Sequence, residues 1–304
     1  MSKLCLGTVQ FGMNYGVNNQ IGRQPTRHES FEMLDYALEN GIDTIDTARA
    51  YGDAEIVLGE YFKNRKDKKN DVKVISKLRP NVIEEGSDIR NVVIEECKNT
   101  LLRLNLEKLN GYLLHTPEYI YNNEILLALQ KLKREKYVDN IGVSIYDLKE
   151  GIAAIKTGIV DYIQLPYSIL DQRGSKTDFF RKAKQADITI FTRSAFLQGL
   201  FMMDMDSIPK YLLDSKVYIK MFEEVRKKYE LSKAEALINF VKYEKNIDYL
   251  VFGVEKKQQL VEDIYIYNKK IDVKDFINEI KKKIDNVDKS IIFPSLWSNG
   301  KKAI

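Results

Sequence analysis

The chain has 304 residues, of which 44% are hydrophobic and 30% are charged, and its formal net charge is +4. This is the composition of an ordinary soluble globular protein, long enough to bury a large core without disulfides. It argues against nucleic-acid and membrane partners, because the lysines are spread along helical segments and no apolar run approaches the ~20 residues that cross a bilayer.

Short apolar, β-branched runs recur along the whole chain, and each one predicts a buried parallel strand. The predicted strands are Leu4–Val9, Thr44–Ala48, Val72–Leu78, Gly111–His115, Ile141–Ser144, Tyr162–Tyr167, Ile188–Ala195 and Tyr249–Gly253. Helical patterns lie between them. The first helix is predicted to begin at a capping box of Thr26 and Glu29 and to end at Asn40 and Gly41, because glycine readily takes the left-handed conformation that ends a helix.

Strand and helix patterns alternate without interruption, which predicts an α/β fold, a closed (β/α)₈ barrel of the TIM type that forms a single domain over residues 1–304. An open doubly wound sheet is the alternative, and the absence of a G-x-G-x-x-G motif after the first strand disfavours it. Residues 285–304 contain the only tryptophan, Trp297, and are expected to form a tail over one face of the barrel.

The two cysteines, Cys5 and Cys97, lie in apolar patterns without the spacing of a metal site. They are expected to be reduced and packed, as in a reducing compartment. The N-terminus has no charged-then-apolar leader. The sequence therefore predicts a cytoplasmic protein without a metal, as a monomer or a small homo-oligomer.

Ionisable residues stand at the ends of three predicted strands, where a barrel places its active site. Asp46 ends the second strand, Tyr51 follows it closely, Lys77 lies near the end of the third strand and His115 ends the fourth. Taken singly, each has a structural explanation, such as a turn cap or a satisfied core histidine. As a set they indicate a site, because a lysine and an aspartate inside a barrel mouth should form a pair.

The chemistry of this set follows from its charges. Lys77 is expected to lower the pKa of Tyr51 and make it a better acid, while Asp46 holds Lys77 in place. A neutral His115 could donate a hydrogen bond to a carbonyl oxygen. The set would polarise a C=O bond and protonate the developing alkoxide, as hydride addition requires.

These residues lie among others with which the chain resembles the aldo-keto reductase superfamily over nearly all its length. The residues that carry the resemblance are 6–8, 41–48, Tyr51 with Gly52, 55–59, Ser76 with Lys77, 113–115, 142–144, Gln164 with Tyr167, and 253–263. The resemblance implies a (β/α)₈ barrel, a catalytic set of Asp46, Tyr51, Lys77 and His115, and reduction of an aldehyde or a ketone with NAD(P)H.

The resemblance also assigns residues to the cofactor. Ser144 and Gln164 match residues that bind the nicotinamide carboxamide, and Asp46 lies near the nicotinamide ribose in the family. The other matching positions are Gly7 and Thr8 at the first strand, Ser194, Phe196 and Gly199 near the pyrophosphate, and Gly253, Lys256, Gln259, Glu262 and Asp263 near the adenosine.

Some positions depart from the family pattern. Ile145 replaces a usual asparagine, and Arg193 stands where many members place an aromatic residue against the nicotinamide, so it is expected either to stack there or to meet an acidic substrate or phosphate. Glu255 and Asp263 would repel a 2′-phosphate, whereas Lys256 and Lys257 would attract it. The sequence expectation is NADP(H), with NAD(H) as the alternative.

The substrate is expected to contact Gln10, Tyr51, Arg79 and His115. The mouth is made polar by Gln10, Asn14, Arg79 and Arg193, which suits a hydroxylated, sugar-like or charged carbonyl compound. Two alternatives stay open. One is a Schiff-base aldolase or lyase on the same barrel that uses Lys77 as its nucleophile, although a Schiff-base lysine is usually desolvated without a carboxylate partner. The other is a non-catalytic subunit that senses nicotinamide dinucleotides.

Overall fold

Eight short strands pair in parallel, each with the next along the chain, and the last strand pairs with the first to close a barrel. The computed structural model describes residues 1–69 and 71–297. The strands are β1 (Lys3–Gly7), β2 (Thr44–Asp46), β3 (Lys73–Leu78), β4 (Leu109–Leu114), β5 (Val138–Ser144), β6 (Tyr162–Pro166), β7 (Thr189–Arg193) and β8 (Tyr249–Gly253). The predicted (β/α)₈ barrel is confirmed.

Helices separate the strands, and none in the described part of the chain is long and apolar enough to span a membrane. The α-helices are α1 (Val9–Gly12), α2 (Arg27–Glu39), α3 (Ala54–Asn64), α4 (Ile89–Leu104), α5 (Asn123–Arg134), α6 (Leu148–Thr157), α7 (Arg173–Lys176), α8 (Phe179–Gln185), α9 (Lys216–Lys228), α10 (Lys233–Lys242), α11 (Lys257–Asn268), α12 (Lys274–Lys283) and α13 (Lys289–Ile292). Short 3₁₀ helices cover Pro117–Tyr121, Leu197–Met202, Met205–Ser207, Lys210–Ser215 and Pro294–Leu296.

The predicted start and end of the first long helix are confirmed. The Thr26 side chain accepts a hydrogen bond from the Glu29 amide at 3.2 Å, and the Glu29 carboxylate accepts one from the Thr26 amide at 2.7 Å. Gly41 has a φ of +82°, the left-handed conformation that follows the end of α2. Several strand ends were predicted wrongly by two or three residues. The strand β1 stops at Gly7 because Val9 begins α1, β2 and β7 stop at Asp46 and Arg193, and β4 and β5 begin at Leu109 and Val138, which pair with each other.

The core has two layers separated by the sheet. Inside the barrel, Cys5, Ile75, Leu113, Phe191 and Val251 form a small cluster. A much larger cluster fills the space between the strands and the surrounding helices. Side chains therefore fill the bottom and middle of the barrel, and open space is left at its carboxyl end.

The described part of the C-terminal segment packs beside the carboxyl ends of β5 and β6. The ring of Phe293 lies 5.3 Å from that of Tyr146, and the guanidinium carbon of Arg173 lies 4.6 Å from the Phe293 ring. The Trp297 indole donates a hydrogen bond to the Ile291 carbonyl at 3.1 Å. The expectation of a tail over one face extends to residues 298–304, which lie outside the described residues.

The helix that follows Tyr51 packs very closely on its neighbour. A Cβ atom built on Gly59 of α3 would lie 2.0 Å from the carbonyl oxygen of Arg103 in α4. The two backbones can approach this closely only because Gly59 has no side chain.

We expect Gly59→Ala to lower the free energy of unfolding by about 1–3 kcal/mol, the usual cost of overpacking, because α3 and α4 must move apart. Lys63→Ala, at an exposed position of α3, is the matched control. Chemical denaturation of both variants would measure the difference. Equal stability of the Gly59→Ala variant and the control would show that the close contact between the helices is not required.

Candidate active site

A cavity of about 270 Å³ opens at the carboxyl ends of the strands. Its walls come from the segments after β1, β2, β4, β5, β7 and β8, and the wall after β8 extends to the first turns of α11. Predicted site residues that line it are Gly7, Thr8, Gln10, Asp46, Tyr51, His115, Ser144, Arg193, Ser194, Phe196, Gly199, Gly253, Gln259, Glu262 and Asp263.

A buried ion pair forms the inner wall of this cavity. Lys77, which has no exposed surface, places its Nζ atom 2.7 and 2.9 Å from the two carboxylate oxygens of Asp46 and 2.9 Å from the carbonyl oxygen of Thr47. Burial lowers the pKa of Lys77, and the Asp46 carboxylate opposes that shift. The expected pairing of these two residues is present.

Further hydrogen bonds fix Asp46 from the other side. The Gln164 amide donates to Asp46 Oδ1 at 2.7 Å, and the Ser144 hydroxyl donates to Gln164 Oε1 at 3.2 Å. Both the amide and the hydroxyl of Thr8 donate to the Asp46 carbonyl at 3.0 Å. Lys77 and Gln164 therefore lie directly behind the cavity wall and act on the cavity through Asp46.

Tyr51 faces this ion pair across a short gap. Its hydroxyl lies 3.4 Å from Lys77 Nζ, and its ring stands nearly perpendicular to that of His115 with centroids 5.7 Å apart. The expectation of a lowered pKa for Tyr51 is wrong. Burial, and then the Asp46 carboxylate, raise the pKa of Tyr51 well above its usual value. The phenol therefore stays protonated at neutral pH.

His115 lines the cavity beside Tyr51 and is neutral. Burial, with the nearby charges of Lys77 and Arg193, lowers the pKa of His115 to about 3. Its buried Nδ1 atom has no hydrogen-bond partner among the described residues, and neither has the buried Oε1 of Gln10, another cavity residue. Unpartnered buried polar atoms are rare, and two of them in one cavity indicate that a polar ligand completes the site.

A segment after β1, residues 13–26, crosses the cavity as a strap. The Val17 amide donates to the Gln198 carbonyl at 3.0 Å, and the Gln20 amide donates to the Glu255 carboxylate at 3.0 Å. The loop beneath it has Gln198 and Gly199 in the left-handed conformation. The strap thus joins the segments that follow β7 and β8. Of its residues, Tyr15, Gly16, Asn18 and Gln20 line the cavity.

Two predicted residues lie elsewhere. Arg79, expected to contact substrate, pairs with Glu96 of α4 at 3.2 Å and does not line the cavity, because its side chain turns outward to that helix. Lys256, expected near the adenosine, is exposed and also lies outside the cavity wall. Sequence reasoning missed Tyr146, Gln198 and most of the strap. Tyr146 could have been predicted from the sequence, since it closely follows β5 at the carboxyl end of the barrel.

The outer end of the cavity is acidic. Glu255, Glu262 and Asp263 line it, whereas Lys257 lies 3.9 Å from Glu32 and is not part of the wall. Burial and the neighbouring Glu262 raise the pKa of Asp263 to about 7. Within the described residues, no group of three or more His, Cys, Asp or Glu side chains could hold a metal ion.

Comparison with known proteins identifies the barrel. The model of the Aldo/keto reductase family matches residues 3–285. Aldo-keto reductase str7 of Strobilurus tenacellus is 28% identical over 57% of this chain, which spans about half the length of that relative, 52%. The NADH-specific methylglyoxal reductase of Escherichia coli is 26% identical over 72% of each chain. The solved aldo-keto reductase AKR11C1 of Bacillus halodurans, in its holo form, has a TM-score of 0.76 and 20% identity, covering 95% of this chain and 94% of its own, which shows a shared fold.

We expect Asp263→Asn to stabilise the ligand-free protein above pH 7 and to have little effect below about pH 4. The folded-state pKa of Asp263, about 7, exceeds the ~3.9 of an unfolded aspartate, so the folded state binds more protons between these values. The free energy of unfolding then falls as pH rises from about 4 to about 7, by at most about 4 kcal/mol, and asparagine removes this loss.

Chemical denaturation at pH 5 and pH 8 would measure the effect. The exposed Asp214→Asn variant is the matched control. A stability difference between the Asp263→Asn variant and wild type that is the same at both pH values would contradict the raised pKa.

Proposed function

Because this chain belongs to the aldo/keto reductase family, we propose that it reduces an aldehyde or a ketone to an alcohol with a nicotinamide dinucleotide, and that Tyr51 is the proton donor. The family membership supports oxidoreductase activity on small carbonyl compounds in general. The observation that carries the specific proposal is the convergence of Tyr51, His115 and the Lys77–Asp46 pair at one end of the cavity.

The residues present fit a dinucleotide. The cavity runs from the protonated Tyr51 to α11, and His115 and Gln10, which line it, each have a buried polar atom without a partner among the described residues. When bound, the cofactor supplies the hydride. Ser144, Gln164 and Asp46 would hold the nicotinamide end, the 194–199 loop would hold the pyrophosphate, and Gly253 with Gln259, Glu262 and Asp263 would hold the adenosine end.

Each of the four side chains has its own role in the reduction of the carbonyl group. His115, neutral because of its burial, donates a hydrogen bond to the carbonyl oxygen and orients it. Tyr51, whose pKa is raised, keeps its proton until the oxygen becomes an alkoxide and then transfers it. Lys77 stabilises the resulting phenolate from 3.4 Å. Asp46 keeps Lys77 charged and in place.

The Schiff-base alternative receives no support from this geometry. Lys77 Nζ is surrounded by both Asp46 oxygens and the Thr47 carbonyl, and Lys77 does not line the cavity. A nucleophilic amine needs a free lone pair and access to the substrate. A role as a sensor subunit would leave the dinucleotide bound without turnover, and activity measurements distinguish it from the reductase.

For the cofactor we propose NAD(H) over NADP(H), the reverse of the sequence expectation. Lys256 and Lys257, the residues expected to attract a 2′-phosphate, are both outside the cavity wall. The acidic Glu255, Glu262 and Asp263 are part of it. A 2′-phosphate at this end would meet the acidic side chains of the cavity wall, while the two lysines lie outside that wall.

We expect Tyr51→Phe to lower kcat by about 10²–10⁴-fold, the usual contribution of a placed general acid, with little change in the Kd of the dinucleotide. Tyr112→Phe is the matched control, because it makes the same change at a fully buried tyrosine that does not line the cavity. Steady-state reduction and dinucleotide binding would be measured for both variants. Turnover by Tyr51→Phe within a few-fold of wild type would mean that another group or water supplies the proton.

We expect NADH to bind at least ~10-fold more tightly than NADPH, and the double variant E262Q/D263N to narrow that ratio by relieving repulsion of the 2′-phosphate. Lys256→Met should leave the Kd of NADPH unchanged, since Lys256 lies outside the cavity. Titration calorimetry with each dinucleotide would provide the Kd values. If NADPH bound more tightly than NADH and this difference were lost in Lys256→Met, the NADP(H) preference expected from the sequence would be correct.

A further inference from the structure

Arg193 places a positive charge at the substrate end of the cavity. It is the last residue of β7 and lines the cavity together with Tyr51 and His115. Its charge lowers the pKa of His115 and opposes the rise in the pKa of Tyr51, so its field reaches both residues. The side chain is partly buried, and it remains accessible to a ligand in the cavity that it lines.

This charge has no anionic partner among the described residues. The Arg193 guanidinium donates to the Ile145 carbonyl at 3.3 Å and to the Ser194 hydroxyl at 3.5 Å, both long for hydrogen bonds, and lies 4.2 Å from the Tyr146 ring. No described carboxylate is within ion-pairing distance. Three other partly buried arginines, in contrast, each hold a carboxylate at 3.0 Å or less: Arg103, Arg173 and Arg226.

Neighbouring groups do not compensate for it either. Asp46 is the nearest described acid of the inner wall, and its two oxygens are taken by Lys77. His115 is neutral. The acids of the cavity, Glu255, Glu262 and Asp263, belong to the segment after β8 and to α11. The end of the cavity beside Tyr51 therefore has an excess of one positive charge.

We propose that Arg193 binds an anionic group, a carboxylate or a phosphate, carried by the carbonyl substrate, so that the preferred substrates are negatively charged aldehydes or ketones. This inference rests on the proposed reductase function. A guanidinium has five donors in a planar fork that matches the two oxygens of a carboxylate or phosphate, and the hydrogen bonds of Arg193 to Ser194 and Ile145 are long and go to neutral groups. A bound anion would satisfy the remaining donors and compensate the charge.

Matched pairs of carbonyl compounds test the proposal. Succinic semialdehyde and butanal differ in a carboxylate, and glyceraldehyde 3-phosphate and glyceraldehyde differ in a phosphate. We expect kcat/KM of the wild type to favour the charged member of one pair by at least ~10-fold, and the pair that shows it identifies the anion. Arg193→Met should lower this ratio by about 10–100-fold, as expected for a lost charge-assisted hydrogen bond. Arg193→Lys keeps the charge but not the planar set of donors, so it should retain part of the preference for the charged substrate.

A binding measurement without turnover provides the second readout. Succinate or inorganic phosphate would be titrated by calorimetry into the protein saturated with oxidised dinucleotide. We expect binding that weakens with added salt and that is lost in Arg193→Met. The exposed Arg134→Met variant, which removes the same charge far from the cavity, is the control for net charge.

The outcomes separate the two proposals. The ratio of kcat/KM for charged to neutral substrates could be the same in wild type and Arg193→Met while the variant binds the dinucleotide more weakly. That result would assign Arg193 to a cofactor phosphate and overturn the anion site. Loss of anion binding in Arg193→Met without reduction of any carbonyl compound would support the anion site and contradict the reductase. Anion binding equal in wild type and variant would also overturn the anion site.

Discussion

The buried pair of Lys77 and Asp46 is the interaction on which the site depends. A lysine with no exposed surface is stable in its charged form only beside an anion, because an unpaired buried charge costs several kcal/mol. The pair joins the ends of β2 and β3, and Gln164 and Thr8 extend it to β6 and to the segment after β1. One ion pair therefore fixes four parts of the barrel mouth. Burial and the Asp46 carboxylate of the same pair raise the pKa of Tyr51, so the phenol holds its proton.

The cavity that begins at this pair has charges of opposite sign at its two ends. Arg193 lines it together with Tyr51 and has no anionic partner among the described residues, and Glu255, Glu262 and Asp263 line it after β8 and on α11. A ligand that fills the whole cavity must match both ends. The strap of residues 13–26 is hydrogen-bonded to Gln198 and to Glu255, so the acidic Glu255 also anchors the strap.

Of the relatives described above, only the methylglyoxal reductase has a name that states what it reduces. Their identity to this chain is 28% or less for the relatives described above, which is too low to transfer a substrate or a cofactor preference. One fold supports many chemistries because its loops are free to vary while the strands are not. The substrate and the cofactor preference proposed for this chain consequently rest on its own side chains, Arg193 at one end and the acidic wall at the other.

Much of this protein was accessible from sequence because it depends on local patterns. Alternating apolar runs and helices predicted the closed barrel, the capping box of Thr26 and Glu29 predicted the start of α2, and strand-terminal positions predicted Asp46, Lys77 and His115 as neighbours. Register along a parallel strand is regular, so residues at strand ends meet at one face of the barrel. The position of Tyr51 followed from its closeness to the end of β2.

Contacts between segments distant in the chain were not accessible in this way. Three features depend on side-chain direction and burial: whether Arg79 faces the cavity or Glu96, whether Lys256 reaches the ligand, and in which direction the pKa of Tyr51 shifts. The strap across the cavity joins residues 17 and 20 to residues 198 and 255, and no local pattern encodes that pairing. Short-range periodicity therefore determined the barrel and the identity of its core site residues, whereas the electrostatics of the site arose only when packing fixed which charges are buried and which are paired.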